Sequence, residues 1–498
     1  MRNVRSFSRK QGIKMNRSKL IRMFQVSISA LIFMASGCAV GPNYKKPDTR
    51  APAAWQEAQS DGVNSRAAEL ARWWTKFNDP LLNSLVERVV QSNLDLRLAE
   101  ARIREARAAR SVTAAGEWPA VDVSGSYSRN RASQNAVGSR AQGAVVSPAA
   151  GAEGEQNLYR TGFDASWEID VFGGVRRSVE AADATIEATV EERRNTLVTL
   201  LGEVAKNYID LRGFQRRLEV ARANLKTQQE TLELTKVRFD AGLASDLDVA
   251  QAEAQANTTA AQIPTLESSL KQVGHRLDVL LGSEPGALWG ELSHQGEIPS
   301  LPPEVLVGLP SELLRRRPDI RRAERQLAAA TAQIGAAVAD LFPKFSLIGT
   351  AGLQSISASD WFTGPSRFWS IGPTIRWPVF DAGRIRANIE VRNAQQEQAL
   401  RQYEKTILTA LEDVENSLVS YGKEQTRYRS LSEALAANRR AVEMANELYT
   451  RGLVDFLNVL ETQRSLYSSE SDLAQSEAAM ASNLVALYKA LGGGWESP

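Results

Sequence analysis

The chain has 498 residues, 60 Lys+Arg against 58 Asp+Glu, two His and one Cys. A hydrophobic share of 43% excludes wholesale disorder, and a single Cys excludes an internal disulfide framework or a Cys-based zinc site. Residues 1–37 hold eight basic groups (Arg2, Arg5, Arg9, Lys10, Lys14, Arg17, Lys19, Arg22) and no acidic one; the remainder is net −6 and a poor nucleic-acid binder.

The basic stretch ends at Arg22 and runs into MFQVSISALIFMASGC, an apolar run of about a dozen residues closing on small residues. Residues 1–37 therefore read as a signal peptide, too short for a transmembrane helix, which needs about 20 apolar residues. Met15 is a plausible true start, since MNRSKLIR alone makes a normal basic region. Ala35-Ser36-Gly37-Cys38 resembles a bacterial lipobox, with Ala35 in place of the usual Leu. The resemblance implies a covalent lipid on Cys38 and, with Ala39 following it, sorting to the outer membrane. The alternative is an ordinary cleavage site beside an incidental thiol.

Beyond residue 78 the chain repeats itself. LDLRLAE (94–100) matches PDIRRAE (318–324), and EWPAVDVSG (117–125) matches LFPKFSLIG (341–349), both at an offset of 224. RFDAGLASDLDV (238–249) matches LYTRGLVDFLNV (448–459) at an offset of 210. The change in offset puts about 14 extra residues into the Gly/Ala/Ser-rich stretch 130–156 of the first copy, which reads as a mobile loop. The expected division is a segment 38–78, a first repeat 79–290, a linker 291–317, a second repeat 318–495 and a tail 496–498.

In each repeat two strands interrupt helices, near 120–129 and 158–170 in the first and near 344–354 and 367–379 in the second. Val121, Val123, Gly125 and Tyr127 alternate with Asp122, Ser124, Ser126 and Ser128. Tyr159, Thr161, Phe163, Ala165, Trp167 and Ile169 alternate with Arg160, Gly162, Asp164, Ser166, Glu168 and Asp170. Strands of about 9–12 residues suit a tilted bilayer crossing, and Trp167, Trp369 and Trp377 at strand ends read as membrane-interface aromatics. Alternation alone equally fits a small soluble sheet with one wet face. Residues 173–241 contain no Pro and carry apolar positions at helical spacing (Leu197, Leu200, Leu201, Val204, Tyr208, Leu211). A helix of that length spans about 100 Å and calls for coiled-coil support. Four strands cannot close a barrel, so membrane insertion demands eight strands from two copies or twelve from three.

GCAVGPNYKKP (37–47), WWTKFNDPLLNSLVERVVQSNLDLRLAEARIREARA (73–108), RRPDIRRAERQLAAATAQIGAAVADLFPKFSL (316–347), WPVFDAGRIRANIE (377–390) and ALYKALGGGW (486–495) carry a resemblance. They are similar to the outer-membrane factors of tripartite RND efflux systems, in their OprM/NodT-like lipoprotein branch. The resemblance covers nearly the whole mature chain and implies a mainly α, TolC-type fold. In that fold a homotrimer shares a 12-stranded outer-membrane β-barrel that continues into an α-helical periplasmic tunnel. The N-terminal segment packs on the equatorial region of the tunnel. It further implies a passive duct without cofactor, partnered by a periplasmic adaptor and an inner-membrane RND transporter.

Gly242 and Gly452 mark the turns of two long helical hairpins. After the second turn Leu457, Glu461 and Arg464 are spaced i, i+4, i+7 on one helical stripe. The resemblance places them at a periplasmic gate: Leu457 as an apolar ring, Glu461 and Arg464 as bridges between neighbouring helices. The first repeat aligns Leu247, Gln251 and Ala254 there, so it lacks the charged pair. Asp246 and Asp248 are candidates for an acidic ring or, equally, for helix N-capping. No phosphate loop, metal-ligand cluster or nucleophile–base constellation occurs, His275 and His294 are lone, and an enzyme is not expected. A type I protein-secretion conduit and a structural coiled-coil surface lipoprotein are the alternative functions.

Overall fold

The structure, a computed structural model, describes residues 39–49, 52–57, 63–64, 70–131 and 155–496. The expected signal peptide, Cys38 and most of the expected loop 130–156 lie outside the described residues. The main elements, in chain order, are α1 (Pro80–Ser92), α2 (Leu94–Ala115), β1 (Ala120–Arg131), β2 (Glu155–Ile169), α3 (Gly174–Asp240) and α4 (Asp246–Leu280). The second half follows with α5 (Pro318–Ala339), β3 (Lys344–Ser355), β4 (Arg367–Arg376), α6 (Arg384–Thr450) and α7 (Phe456–Ala490). Helix lengths recur between the halves: 22 residues for α2 and α5, 67 for α3 and α6, 35 for α4 and α7. No helix among the described residues is long and apolar enough to cross a membrane.

Two compact units emerge. Among the described residues, one falls within 39–45, 108–131, 155–184 and 328–397, the other within 46–107, 185–327 and 398–496.

The first unit is built on an antiparallel sheet in the order β1-β2-β3-β4. Its register brings the alternating faces of all four strands into line. Val123 pairs with Phe163, Phe163 with Ala351, and Ala351 with Trp369 on one face. Ser124–Gly162, Gly162–Gly352 and Gly352–Phe368 run across the other. The first face is apolar and exposed: Val121, Val123, Phe163, Trp369, Ile371 and Ile375 all stand open. The opposite face carries Ser124, Asp164, Glu168 and Lys344, with Ser124 donating to Asp164 at 2.7 Å and Lys344 pairing with Asp340 at 3.1 Å. Strand β4 stops at Arg376, three residues short of the expected 379, and β2 starts at Glu155, ahead of the expected 158. Residues 155–157 gain partners in Asn130, Arg129 and Arg131, whereas β3 begins at Lys344 opposite Arg376 and offers nothing beyond it.

The second unit holds the main apolar core. Trp73, Phe77, Leu82, Leu85, Leu201, Tyr208, Leu277, Leu292, Tyr403 and Tyr488 are all fully buried there. Burying a Leu or Phe side chain contributes about 1.5–3 kcal/mol. The Trp73 and Tyr488 rings stack at 5.4 Å. Asp79 caps α1 by accepting from Leu81 and Leu82 amides, Pro80 occupies the first turn where its missing N–H costs nothing, and Tyr208 Oη donates to Asp79 at 2.7 Å.

Candidate functional site

At the first hairpin turn the Leu243 amide donates to Arg238 O at 2.7 Å and the Gly242 amide to Phe239 O at 2.8 Å. Leu453 to Leu448 and Gly452 to Tyr449 repeat the pattern at 2.9 and 3.0 Å. Both are Schellman ends, and they require left-handed backbone at Gly242 (φ 73°) and Gly452 (φ 72°). Nothing lies within 4 Å of a Cβ added at either, so the requirement for Gly is one of backbone alone.

Helix α4 then starts with a capping box: Ser245 Oγ accepts from the Asp248 amide at 3.2 Å, and the Ser245 amide donates to Asp248 Oδ2 at 2.9 Å. Asp248 is thus engaged as a capping residue, while Asp246 is exposed in the first turn. Below the second turn Phe456, Val459 and Leu460 bury against Ala252 and Ala445, with Leu232 and Tyr449 packed alongside.

The stripe Leu457, Glu461 and Arg464 lies on the exposed side of α7. Leu457 is 52% exposed and Leu247, its counterpart on α4, 65%. Arg464 Nη1 pairs with Glu461 at 3.1 Å along the helix, and Arg464 Nε donates to Gln255 Oε1 on α4 at 2.6 Å. Within one chain Arg464 therefore links α7 to α4 through Gln255, whereas Glu461 pairs along its own helix. Alignment of the repeats points to Ala254, one residue away, and Gln255 is missed. Its i, i+4 relation to Gln251 is the one sequence signal for it.

Between the small apolar cluster at the turns and the main core the buried seam becomes polar. Gln228, Gln255, Thr259 and Gln463 are all buried. Gln463 donates to Thr231 at 3.1 Å and Tyr467 to Gln262 at 2.6 Å, but both amide atoms of Gln228 and the Thr259 hydroxyl have no protein partner. Each buried orphan costs about 1–3 kcal/mol. The region next to the turns is held by a small apolar cluster and a polar belt that contributes less stability than an apolar seam.

In the sheet unit Trp167 and Trp377 sit at the ends of β2 and β4 nearest the helices, and their indoles donate to Glu117 O and Leu341 O, each at 3.0 Å. Trp369 stands 77% exposed in the row of Ala351 and Phe163, midway between Trp167 and Tyr159, and at the far end Tyr127, Tyr159, Trp361 and Phe362 form a chain of rings 4.8–5.4 Å apart. Tyr159 and Trp167 are eight residues apart, about 26 Å at about 3.3 Å per residue, comparable to the ~25 Å apolar band of a membrane barrel. Ala39 packs on Gly173, and the Val40 amide donates to Phe172 O at 3.1 Å. Arg177 holds the same strap through Val40 O at 3.1 Å and Asn43 Oδ1 at 2.7 Å. The strap thus holds residues 39 and 40 beside the end of β2. No group of His, Cys, Asp and Glu among the described residues is arranged to hold a metal.

The family model for "Outer membrane efflux protein" matches residues 85–283 and 309–493. Nodulation protein T of Rhizobium leguminosarum bv. trifolii is 34% identical, over 93% of this chain and 96% of that one. The solvent efflux pump outer membrane protein SrpC of Pseudomonas putida is 33% identical, over 93% and 97%. Among solved structures, the outer-membrane channel OprN aligns with a TM-score of 0.85 at 39% identity, covering 92% of this chain and all of that one. The open-state MtrE outer membrane channel of Neisseria gonorrhoeae aligns with a TM-score of 0.76 at 28% identity. An amphipathic sheet with two unpaired edges, long paired helices, and matches over nearly the whole chain agree: the chain belongs to the outer membrane efflux protein family.

Proposed function

We propose that the chain is one subunit of a passive exit duct in a tripartite efflux pump, assembled as a homotrimer in the outer membrane. The cargo is small toxic molecules, handed over by an inner-membrane RND transporter through a periplasmic adaptor. The observation that carries this reading is the sheet, with an exposed apolar face, a polar face and open edges on β1 and β4. In lipid each unpaired backbone group at such an edge costs several kcal/mol, and closure into a ring with other copies removes that cost. Three copies supply twelve strands. The apolar face then meets lipid and the polar face lines a water-filled lumen.

The docked strap supports lipidation of Cys38, because it brings residue 39 to the end of a membrane strand. Leu457, Glu461 and Arg464 form the periplasmic gate in this reading, and Asp246 adds negative charge at the entrance. The duct requires no cofactor and no catalytic group, since its work is positional. Crosslinking in intact cells from positions flanking Gly242 and Gly452, followed by identification of the captured proteins, tests the assignment. Capture of a proton-driven transporter and its adaptor is expected; capture of an ATP-driven exporter alone moves the reading to protein secretion.

A further inference from the structure

The duplication fixes how the two open edges meet, given the ring of copies proposed above. Two offsets superpose the halves of the sheet unit. The bond from Trp167 Nε1 to Glu117 O recurs as Trp377 Nε1 to Leu341 O, shifted by 210 on the strand side and by 224 on the acceptor side. The same 210 relates α3 to α6 and the left-handed Gly173 (φ 79°) to Gly383 (φ 85°). The same 224 relates the first residues of β1 and β3.

Strand β2 pairs with β3 over eleven residues, from Tyr159 opposite Ser355 to Ile169 opposite Phe345. Shifting β2 by 210 gives β4, and shifting β3 back by 224 gives β1. The ladder that joins the halves inside one chain therefore has a counterpart between β4 of one copy and β1 of the next. We propose that these two edges pair over eleven residues, from Trp369 opposite Arg131 to Val379 opposite Val121. Ile375 then lies opposite Gly125, and Trp377 opposite Val123.

Two independent observations agree with this register. First, it keeps the faces in phase: Trp377, Val379, Val121 and Val123 fall on the apolar side, and Thr374, Arg376, Ser124 and Ser126 on the polar side. A shift of one residue would turn every side chain of the seam to the wrong face. Second, it explains the short end of β4. Trp167, Glu168 and Ile169 pair with β3 alone, because β1 begins at Ala120 opposite Ser166. Their counterparts Trp377, Pro378 and Val379 have no such partner within the chain, and Val379 stands 82% exposed. The strand that completes them is Val121–Val123, whose own outer edge is open and whose valines are 63% and 72% exposed. In the ring β4 runs on to Val379 and recovers the length of its twin.

Engineered disulfides on the polar face read the register directly. Residues directly opposite have Cβ atoms about 4.5–5.5 Å apart and diagonal neighbours about 7–8 Å, while a disulfide needs about 3.5–4.5 Å. The full-length protein in outer membranes, carrying Thr374→Cys with Ser126→Cys, is oxidised mildly and run on a non-reducing gel. Thr374→Cys with Ser124→Cys and with Ser128→Cys are the off-register comparisons. Arg376→Cys with Ser124→Cys is a second in-register pair, in case the first variant fails to assemble. Covalent three-copy rings from the in-register pairs alone are the expected result. Stronger crosslinking from an off-register pair overturns the register and leaves the ring intact. No crosslink from any pair, with a three-copy species on native electrophoresis, overturns the pairing of these edges. A monomer on native electrophoresis overturns the ring itself.

Discussion

In the proposed gate Arg464 holds the hairpin tips together, and its two contacts are of unequal worth. The bond to buried Gln255 at 2.6 Å is charge-assisted and contributes about 1.5–3 kcal/mol. The pair with Glu461 joins side chains 51% and 57% exposed, and solvent reduces it to about 0–1 kcal/mol. Arg464→Ala therefore removes about 2 kcal/mol per copy, and about 6 kcal/mol if three copies open together. At about 1.4 kcal/mol per tenfold, that is a shift of about 10⁴ towards the open state. Glu461→Ala removes under about 1 kcal/mol per copy. The full-length protein in planar bilayers should accordingly show open probability rising steeply with Arg464→Ala and with Gln255→Ala, and little with Glu461→Ala. If Glu461→Ala opens the channel and Gln255→Ala leaves it closed, the link between the repeats does not hold the gate and the reasoning fails.

Gln228→Leu should stabilise the tip by about 1–2 kcal/mol, because it removes an amide with no protein partner from a buried seam. Slower hydrogen exchange over residues 224–235 is the expected readout, and faster exchange would contradict the cost assigned to the amide. Burial works against the Glu324 carboxylate, but hydrogen bonds from Lys46 and Arg325 outweigh it and hold the pKa below its ordinary value. A depressed carboxylate stabilises above its unfolded pKa, about 4.3, and that contribution is lost as pH falls through the lower folded value. Cleavage of the segment around Lys46 in limited proteolysis should therefore rise below about pH 4 in the parent. Glu324→Gln should lack that acid step; an equal step in the variant would show that another group is responsible.

Much of this architecture is legible along the chain. The alternation of Val121, Val123 and Tyr127 with Asp122, Ser124 and Ser126 gives both strand and face, since a period of two is local. The turns at Gly242 and Gly452 are equally local, because left-handed backbone at a helix end selects Gly. What eludes a linear reading depends on register between distant segments. Gln255 becomes the partner of Arg464 through the alignment of α4 with α7, and one residue of drift hides it behind Ala254. The polar belt is hidden for another reason: Gln228, Thr259 and Gln463 have the composition of a solvated helix face, and packing of four helices buries them. Strand β4 looks longer in sequence than in the structure because the alternation through Trp377 and Val379 is local, whereas a ladder needs a partner and β3 begins only at Lys344 opposite Arg376.

The Arg464–Gln255 contact also bears on how the proposed gate evolves. It joins two halves that repeat one another in helix length yet are encoded separately, Arg on one and Gln on the other. In a ring of six identical single-repeat subunits, each codon change would alter all six corners together, and a charge suited to one side of a contact would be imposed on the other. Fusion of two repeats into one gene lets alternate corners diverge. In the homotrimer proposed above, three corners would keep Glu461 and Arg464, and three would carry Gln251 and Ala254. Selection can then strengthen or loosen the closed state by editing one set while the other is left as its fixed counterpart.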